Sequence, residues 1–595
     1  MTTQKRHILF AASECAPLCK TGGLADVVGA LPRALTHQNI KTSIILPFYK
    51  TLPKDIRENS IDIDKFTINM GWRKQYVGLK KYSEINRTYY FIDNETYFLR
   101  DNLYGYFDDS ERFIYFAMAI IASLKYMPDI DIIHCNDWQT ALIPTLLKKF
   151  HYENQKLNKI RTVYTIHNMR FQGNLNLEDF VSFLGITMSE PWLGEAYHDG
   201  QANLLKSALY SSDHVTTVSP NYANEIKYEY YGESLHNIIH DIDFKLSGIL
   251  NGIDIDTFNP RNDKDIYWDF NGVTGKQKNK ERFLYDYRLP NDNQMLIGMV
   301  TRLDRQKGLD LLLYGIDQVM QMPVQFVMLG TGDSKYEAAF HDIEKKYPDR
   351  ARCFIMYDES LAHKIYASSD VFVMPSKFEP CGLGQMIAMR YGTLPIVRET
   401  GGLADTVIPY NAITDEGTGF SFRNYNGDEL IQAIQMANNL YINNRPAFNN
   451  LATAAMAQEF SWEVSAQKYI DLYETLINQD MQQAEEDAKA HQTENKNTVH
   501  PSVAKAEMQK QQEPPSKTVD VSSDSPNNLS EDVIPKTTKT VKPTTAEKAF
   551  KLTNEAKKPE ISDAEPHITL TSKTSDEPEF EEKKVSPKKS ATFID

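Results

Sequence analysis

In the run Val371–Val407, VFVMPSKFEPCGLGQMIAMRYGTLPIVRETGGLADTV, the loop after the first strand carries one carboxylate, Glu379. The backbone N–H groups of Cys381, Gly382, Leu383 and Gly384 follow it, where an apolar helix should begin. Exposed N–H groups and the helix dipole make such a terminus favourable for an anion. A carboxylate accepts hydrogen bonds from sugar hydroxyls. A carboxylate beside an anion cradle is what a nucleotide-sugar site needs. Cations are offered by two other loops, Lys20 in K-T-G-G and the pair Arg302 and Lys307 in T-R-L-D-R-Q-K-G. The arginine fork and the lysine point charge suit a diphosphate. Taken alone, K-T-G-G is a tight turn with a surface lysine, and His167 is a structural histidine. The basic loop stands out more, because the chain as a whole has a net charge of −15.

These residues need strands and helices to hold them. Val371–Met374 reads as a buried strand, and Pro375, Ser376 and Pro380 turn the chain into a helix near Gly382. That helix is apolar almost all round, which suits a helix packed inside a large domain. A strand Leu394–Val397 and a glycine turn, Gly401-Gly402, complete a βαβ unit, whose ligands sit where the chain leaves the strand ends. Strand His7–Ala11 leads through Lys20-Thr21-Gly22-Gly23 into a helix whose apolar spacing runs over Leu24, Val27, Val28, Leu31 and Leu35, with Pro32 expected to kink it. Further strands are predicted at Ile130–Ile133, Thr162–Ile166 and Val215–Val218, with polar residues just past their ends. A second set comprises Met295–Val300, Val324–Leu329 and Cys353–Ile355. Short strands alternating with helices imply parallel, doubly wound sheets. The hexapeptide Thr21–Asp26, TGGLAD, recurs as Thr400–Asp405, each time between a strand and a helix. Two occurrences so far apart are not a solenoid repeat. They suggest two α/β domains, each aiming a glycine loop at a ligand.

A chain of 595 residues is too long for one core, and its acidity argues against a nucleic-acid or anionic-membrane surface. No signal peptide is expected from MTTQKRHILF, and no stretch is long and apolar enough to span a bilayer. The five cysteines, Cys15, Cys19, Cys135, Cys353 and Cys381, show neither C-x-x-C pairing nor zinc spacing. Reduced thiols and a cytoplasmic protein are expected. The D-x-D pairs Asp129-Asp131, Asp241-Asp243 and Asp254-Asp256 read as strand alternation or turn chemistry rather than metal sites. A helix Trp462–Ile477, N-capped by Ser461, carries the apolar stripe Trp462, Ala466, Tyr469, Tyr473 and Leu476. Beyond about Asp480 the chain is rich in Lys, Glu, Ser, Thr, Pro and Gln and lacks Trp and Tyr. Such a composition predicts a disordered tail, with no partner identified.

Several motifs together resemble bacterial glycogen synthase, the ADP-glucose-dependent group shared with plant starch synthases. They are KTGGL at Lys20, NDW at Asn136, TIHN at Thr165, the stretch Ser219–Tyr222, ILNGID at Ile249, TRLDRQKGLD at Thr301, FEPCGL at Phe378 and RYGTLPIVRETGGLADT at Arg390. The resemblance covers roughly residues 5–478. It implies a GT-B fold of two doubly wound Rossmann-like domains facing a central cleft, with the disordered tail added. The expected organisation is 1–255 on the acceptor side, 256–460 on the nucleotide-sugar side, 461–480 as a helix crossing back, and 481–595 as the tail.

The resemblance further implies transfer of glucose from ADP-glucose to the non-reducing end of an α-1,4-glucan such as glycogen, with retention and with neither metal nor cofactor. Lys20, Arg302 and Lys307 would hold the diphosphate. Glu379 would bind glucose hydroxyls, with the Cys381, Gly382, Leu383 and Gly384 amides on glucose and phosphate. His167 would orient the glucose, and Tyr357 would pack on adenine. Gly22 and Gly23 would let the backbone approach the donor, and Glu14, Tyr104, Asp137 and Asn168 would line the glucose and acceptor groove. Gly384 stands where many relatives have threonine, and Met356 where glycine is common. Ile387 stands where the wider GT-B class often has a second carboxylate. Another GT-B nucleotide-sugar enzyme, transferase or epimerase, and an inactive glucan-binding scaffold are the alternatives. Because the site residues are divided between two domains, the cleft is expected to close on its substrates.

Overall fold

The computed structural model describes residues 6–151 and 153–478. Every described element lies in one compact unit, Met1–Pro501, whereas the second unit, Ser502–Asp595, and the expected disordered tail fall outside the described residues. In the first half the strands are β1 His7–Ala11, β2 Lys41–Pro47, β3 Ile61–Met70, β4 Arg73–Glu84, β5 Arg87–Asp93, β6 Ile132–Asn136, β7 Arg161–Ile166, β8 Asn174–Leu175, β9 Tyr197–His198, β10 Gln201–Asn203, β11 His214–Thr217 and β12 Leu246–Gly248. In the second they are β13 Met295–Val300, β14 Val324–Leu329, β15 Ala351–Phe354, β16 Val371–Met374, β17 Leu394–Arg398 and β18 Phe420–Phe422.

The first sheet has nine strands in the order β12-β11-β7-β6-β1-β2-β5-β4-β3, and the second has six in the order β15-β14-β13-β16-β17-β18. The second is parallel throughout. The first is parallel from β12 to β5 and adds an antiparallel edge, β5-β4-β3. Burial explains both patterns. Strand β1 is buried at every residue and reads as a continuous apolar run after His7, whereas β3, IDIDKFTINM, alternates because one face meets solvent. Strands β8, β9 and β10 form a small separate sheet.

The strand expected at Ile130–Ile133 instead spans Ile132–Asn136, so His134, Cys135 and Asn136 lie inside the sheet rather than beyond its end. Polar side chains are tolerated there because they are paired: His134 bonds Tyr473 Oη (2.7 Å) and Thr165 Oγ1 (2.6 Å). The first helix runs Gly23–His37 without ending at Pro32; its buried face, including Leu24, Val27, Val28, Leu31 and Leu35, outweighs the one missing N–H. The helix Gly384–Arg390 is apolar all round because it is sandwiched: Met386, Ile387 and Ala388 join the first core, and Met389 joins the second.

The chain crosses back to the first half at a bridge between Ile253 and Ser461. The helix 462–478 then packs Trp462, Ala466, Tyr469 and Tyr473 into the first core, and Ser465 Oγ donates to Leu250 O (2.6 Å). No described helix is long and apolar enough to cross a membrane.

Candidate active site

Parallel sheets place their loops at the carboxyl ends of the strands, and the predicted site residues fall there, apart from Tyr104, which follows the helix Glu95–Phe98. In the first half, β1 leads into the loop carrying Glu14, Lys20, Gly22 and Gly23, β6 into Asp137, and β7 into His167 and Asn168. Asp137 takes φ 55° and ψ 179°, a conformation that is costly for a residue with a Cβ. What holds it is its carboxylate, which accepts from the N–H of His167 (2.8 Å) and also takes the N–H of Asn168. Burial nevertheless pushes its pKa up to about 7, the two N–H groups pulling the other way.

The imidazole of His167 lies 3.0 Å (Nε2) from Asn136 Oδ1. The Asn136 amide is oriented by its own donations to Ala11 O (3.2 Å) and His134 O (3.1 Å), so its oxygen must be the atom that faces the histidine. His167 is therefore the Nε2–H tautomer, and Nδ1 is left as an acceptor. Burial pulls its pKa down to about 3, so the ring is neutral at physiological pH.

Glu14 is committed to its own loop. It accepts from Thr21 N (2.5 Å), Thr21 Oγ1 (2.7 Å), Gly22 N (3.1 Å) and Tyr104 Oη (2.8 Å). The structure thus makes Glu14 and Tyr104 braces of the glycine loop. Around Gly22 and Gly23 the space is open, with nothing within 4 Å of where a Cβ would stand. Lys20 pairs with Asp26 (2.7 Å). Burial opposes its charge, but Asp26 outweighs that and raises its pKa, with Tyr357 and Glu359 of the second half adding to the effect.

In the second half, β13 leads into Arg302 and Lys307, β15 into Tyr357, and β16 into Glu379. Lys307 and Glu379, 72 residues apart, form a largely buried ion pair (Nζ–Oε2 2.7 Å), and Ser376 Oγ donates to the same oxygen (2.9 Å). The loop reaches this depth because Gly308, at φ 65°, lies where a Cβ would be 1.9 Å from Pro375 O. Arg302 and Lys307 are therefore not equivalent: Arg302 is exposed, at 3.6 Å from Asp304. Tyr357 is exposed at the rim.

The loop after Glu379 turns at Gly382 (φ 76°), and Gln385 Nε2 donates to Cys381 O (3.1 Å) and Gly382 O (3.0 Å) behind it. A Cβ at Gly384 would stand 3.2–3.4 Å from Phe372, Met374 and Tyr366 Oη, so the space a threonine would take is already filled. Burial pushes the Cys381 thiol up to about 12, which keeps it protonated and unsuited to act as a nucleophile.

The second glycine loop departs from the expectation that it is aimed at a ligand. Gly401 N donates to Glu225 Oε1 (3.0 Å) and Thr400 Oγ1 to Glu225 Oε2 (3.2 Å), so a first-half carboxylate occupies this turn. Neither Glu225 nor the orienting Asn136 is among the site residues expected from sequence. Asn136 lies in the NDW motif, whereas nothing local marks Glu225. Among the described residues the metal-like group Asp263, Asp265 and His363 lies elsewhere. There Asp263 already accepts from His363 Nδ1 (2.7 Å), Tyr391 Oη and Asp265 N (2.9 Å), a self-satisfied polar cluster. Asp254 accepts from Asp256 N (3.0 Å), the expected turn chemistry.

The family described as "Starch synthase catalytic domain" matches residues 7–241, and "Glycosyl transferases group 1" matches residues 286–452. The glycogen synthase of Clostridium acetobutylicum is 46% identical over 481 residues, covering 79% of this chain and 100% of that protein. The glycogen synthase of Lactococcus lactis subsp. lactis is 46% identical over 479 residues, with the same coverage. The solved catalytic domain of starch synthase IV from Arabidopsis thaliana, bound to ADP and acarbose, is 33% identical with a TM-score of 0.73, over 80% of this chain and 100% of that one. A sucrose-phosphate synthase from Thermosynechococcus elongatus, 19% identical with a TM-score of 0.51, covers 80% of this chain and 100% of that one, and shares the GT-B fold.

Proposed function

The chain belongs to the glycogen synthase family, and from that premise we propose that it transfers glucose from ADP-glucose to the non-reducing end of an α-1,4-glucan with retention of configuration. The observation that carries this reading is the buried Lys307–Glu379 pair on one wall of the cleft, with neutral His167 and the Lys20 loop on the other. Donor binding divides the pair: the ammonium turns to the diphosphate and the carboxylate to glucose hydroxyls. Arg302, exposed beside it, takes the distal phosphate. Lys20 approaches from the first half, with Gly22 and Gly23 leaving room for the ligand. His167 accepts a glucose hydroxyl at Nδ1. Cations placed where charge grows on a departing ADP are the largest source of acceleration in such a transfer.

The chemistry of the nearby groups favours a front-face displacement. Cys381 is held protonated, Asp137 is turned onto backbone N–H groups, and Glu379, still held by Ser376, is engaged by the glucose hydroxyls once the donor is bound. None is poised as a covalent nucleophile. The bond from the anomeric carbon to phosphate oxygen breaks while the bond to the acceptor hydroxyl oxygen forms on the same face. The acceptor proton passes to the leaving phosphate. In this reading 1–255 supply the acceptor side, 256–460 the donor side and 461–480 the strap between them. Tyr357 packs on adenine, Asn168 lines the acceptor groove, and the amides from Cys381 to Gly384 meet glucose and phosphate. The three cations supply the charge without a metal or cofactor. Five free, buried cysteines fit a cytoplasmic site of action.

Incubation with ADP-[14C]glucose and glycogen tests the reading. Label is expected in polymer that an α-1,4-specific amylase digests, and unlabelled ADP-glucose should compete better than UDP-glucose. Label confined to a free sugar would favour an epimerase or another transferase. Glycogen that pellets the protein without gaining label would favour a scaffold.

A further inference from the structure

We propose that Glu225 is a positioning residue for the transfer: from the first half, it holds the glycine turn on which the donor loop of the second half rests. The inference builds on the transferase reading above. It starts from backbone crowding. At Gly401 a Cβ would lie 2.0 Å from Glu379 O, and at Gly402 one would lie 2.1 Å from Cys381 O. Gly402 N donates to Glu379 O (3.1 Å) and Pro380 O (3.2 Å). The turn and the donor loop are thus in direct backbone contact, and a shift of one moves the other.

The turn is itself held from the first half. Glu225 takes Gly401 N and Thr400 Oγ1, one on each oxygen, and Asn221 Nδ2 donates to Oε1 (3.1 Å). Asn221 N donates to Asp405 Oδ2 (2.8 Å) at the other end of the same turn. Ser219 Oγ donates directly to Pro380 O (2.7 Å), beside Glu379. The second half adds Arg398, which donates to Ser376 O (2.9 Å) and Lys377 O and reaches Tyr231 Oη (3.3 Å) of the first half. Glu225 is half-buried, so its hydrogen bonds are partly shielded from water. The carboxylate touches no reacting group. It fixes where Glu379, Cys381 and Lys307 stand relative to His167 and Lys20.

This placement separates binding from chemistry. The donor-side residues lie on the second half and keep their own contacts when Glu225 is lost, so donor affinity should survive. What suffers is the alignment between halves, and misplacement by about 1 Å can cost about 10²-fold in rate. Glutamine retains an oxygen for Gly401 N–H, and its amide can donate to the Thr400 hydroxyl, so it should restore most of the function.

The test compares full-length wild type, Glu225→Ala and Glu225→Gln by two readouts. In transfer from ADP-glucose to glycogen, Glu225→Ala should lower kcat by about 10- to 100-fold, with KM for ADP-glucose within about threefold of wild type, and Glu225→Gln should recover to within about fivefold. Independently, maleimide labelling mapped by mass spectrometry follows the five cysteines, all buried in the wild type. Glu225→Ala should speed labelling at Cys381 by at least about tenfold, since only the loop it holds is released. Unchanged kcat and labelling in Glu225→Ala would overturn the proposal. So would faster labelling of all five cysteines together, which would mean general loosening, or a rise in KM alone. If the wild type transfers no glucose, the functional reading fails, and the labelling readout alone still decides whether Glu225 holds the loop.

Discussion

The same hexapeptide does two different jobs in this molecule. In Thr21–Asp26 the turn is braced from its own half by Glu14, and nothing lies within 4 Å of where a Cβ at Gly22 or Gly23 would stand. In Thr400–Asp405 the brace is Glu225 from the opposite half, and both glycines are pressed against the backbone of the donor loop. In each case a carboxylate takes backbone N–H at the turn, two at Glu14 and one, with a threonine hydroxyl, at Glu225, as suits a helix N-terminus. What differs is the surroundings of the glycines: open space at the first turn, the backbone of another loop at the second. A motif therefore specifies local geometry, and its neighbours decide what that geometry serves.

The largest expected effect tests whether the two walls share the work equally. Lys307→Ala should lower kcat by about 10²–10³, because in the proposed transfer its ammonium meets charge that grows as ADP departs, whereas exposed Lys20→Ala should cost about tenfold. Steady-state kinetics check this. Equal losses, or a Lys307→Ala variant with only a raised KM, would erase the asymmetry.

Next come the glycines themselves. Gly402→Ala drives a methyl into Cys381 O, so it should cost about 1–3 kcal/mol of stability and about 10²-fold in kcat together. Gly22→Ala meets nothing, so its melting temperature should stay at the wild-type value while activity falls less than about tenfold through crowding of the donor. Thermal melts alongside rates separate the two. A destabilised Gly22→Ala would mean that the first turn is as crowded as the second.

A smaller effect concerns the strained Asp137 beside His167. Its folded pKa is raised by burial to about 7, so the folded state binds its proton more tightly than the unfolded chain, where an aspartate titrates near 4. The sign follows: this group's contribution to stability is greatest at low pH, is lost as pH rises from about 4 to about 7, and is flat above. His134 and His167, lowered to about 3 by burial, act oppositely, because the unfolded chain binds their protons more readily between about 3 and about 6.5. The difference between wild type and Asp137→Asn isolates the aspartate. In urea unfolding at pH 5, 6, 7 and 8, Asp137→Asn should gain stability relative to wild type as pH rises. A constant difference would show that Asp137 is not buried as a charge.

The smallest effect is expected outside both loops. A variant ending at Asp480 should keep kcat within about tenfold of the full chain, that is within ~1.4 kcal/mol of transition-state stabilisation. A greater loss in the same transfer assay would give the tail a part in the chemistry.

Much of the architecture could be read from residue pattern alone. Strands β1, β13, β14 and β16 fall where apolar runs place them, because strands buried on both faces carry continuous apolar sequence. Strand β6 departs from its expected bounds because His134 and Asn136 are polar yet internal, paired with Tyr473, Thr165 and Ala11 O from distant segments. On the antiparallel edge, β3 leaves no apolar run in the sequence, because it pairs with one face toward solvent and alternates.

By itself the sequence determined that the chain forms two α/β halves, that Lys20, His167, Arg302, Lys307 and Glu379 stand at strand ends, and which motifs they belong to. The halves and the strand ends follow from periodicity and short-range turn chemistry, and the motifs from the resemblance. The tertiary structure alone decided that Lys307 pairs with Glu379 across 72 residues, that Glu14 serves its own loop, and that Glu225 reaches Gly401 across 176. A side chain's type states what it can bond. Which partner it meets depends on how the strands are ordered and the halves are joined, and no local pattern carries that information.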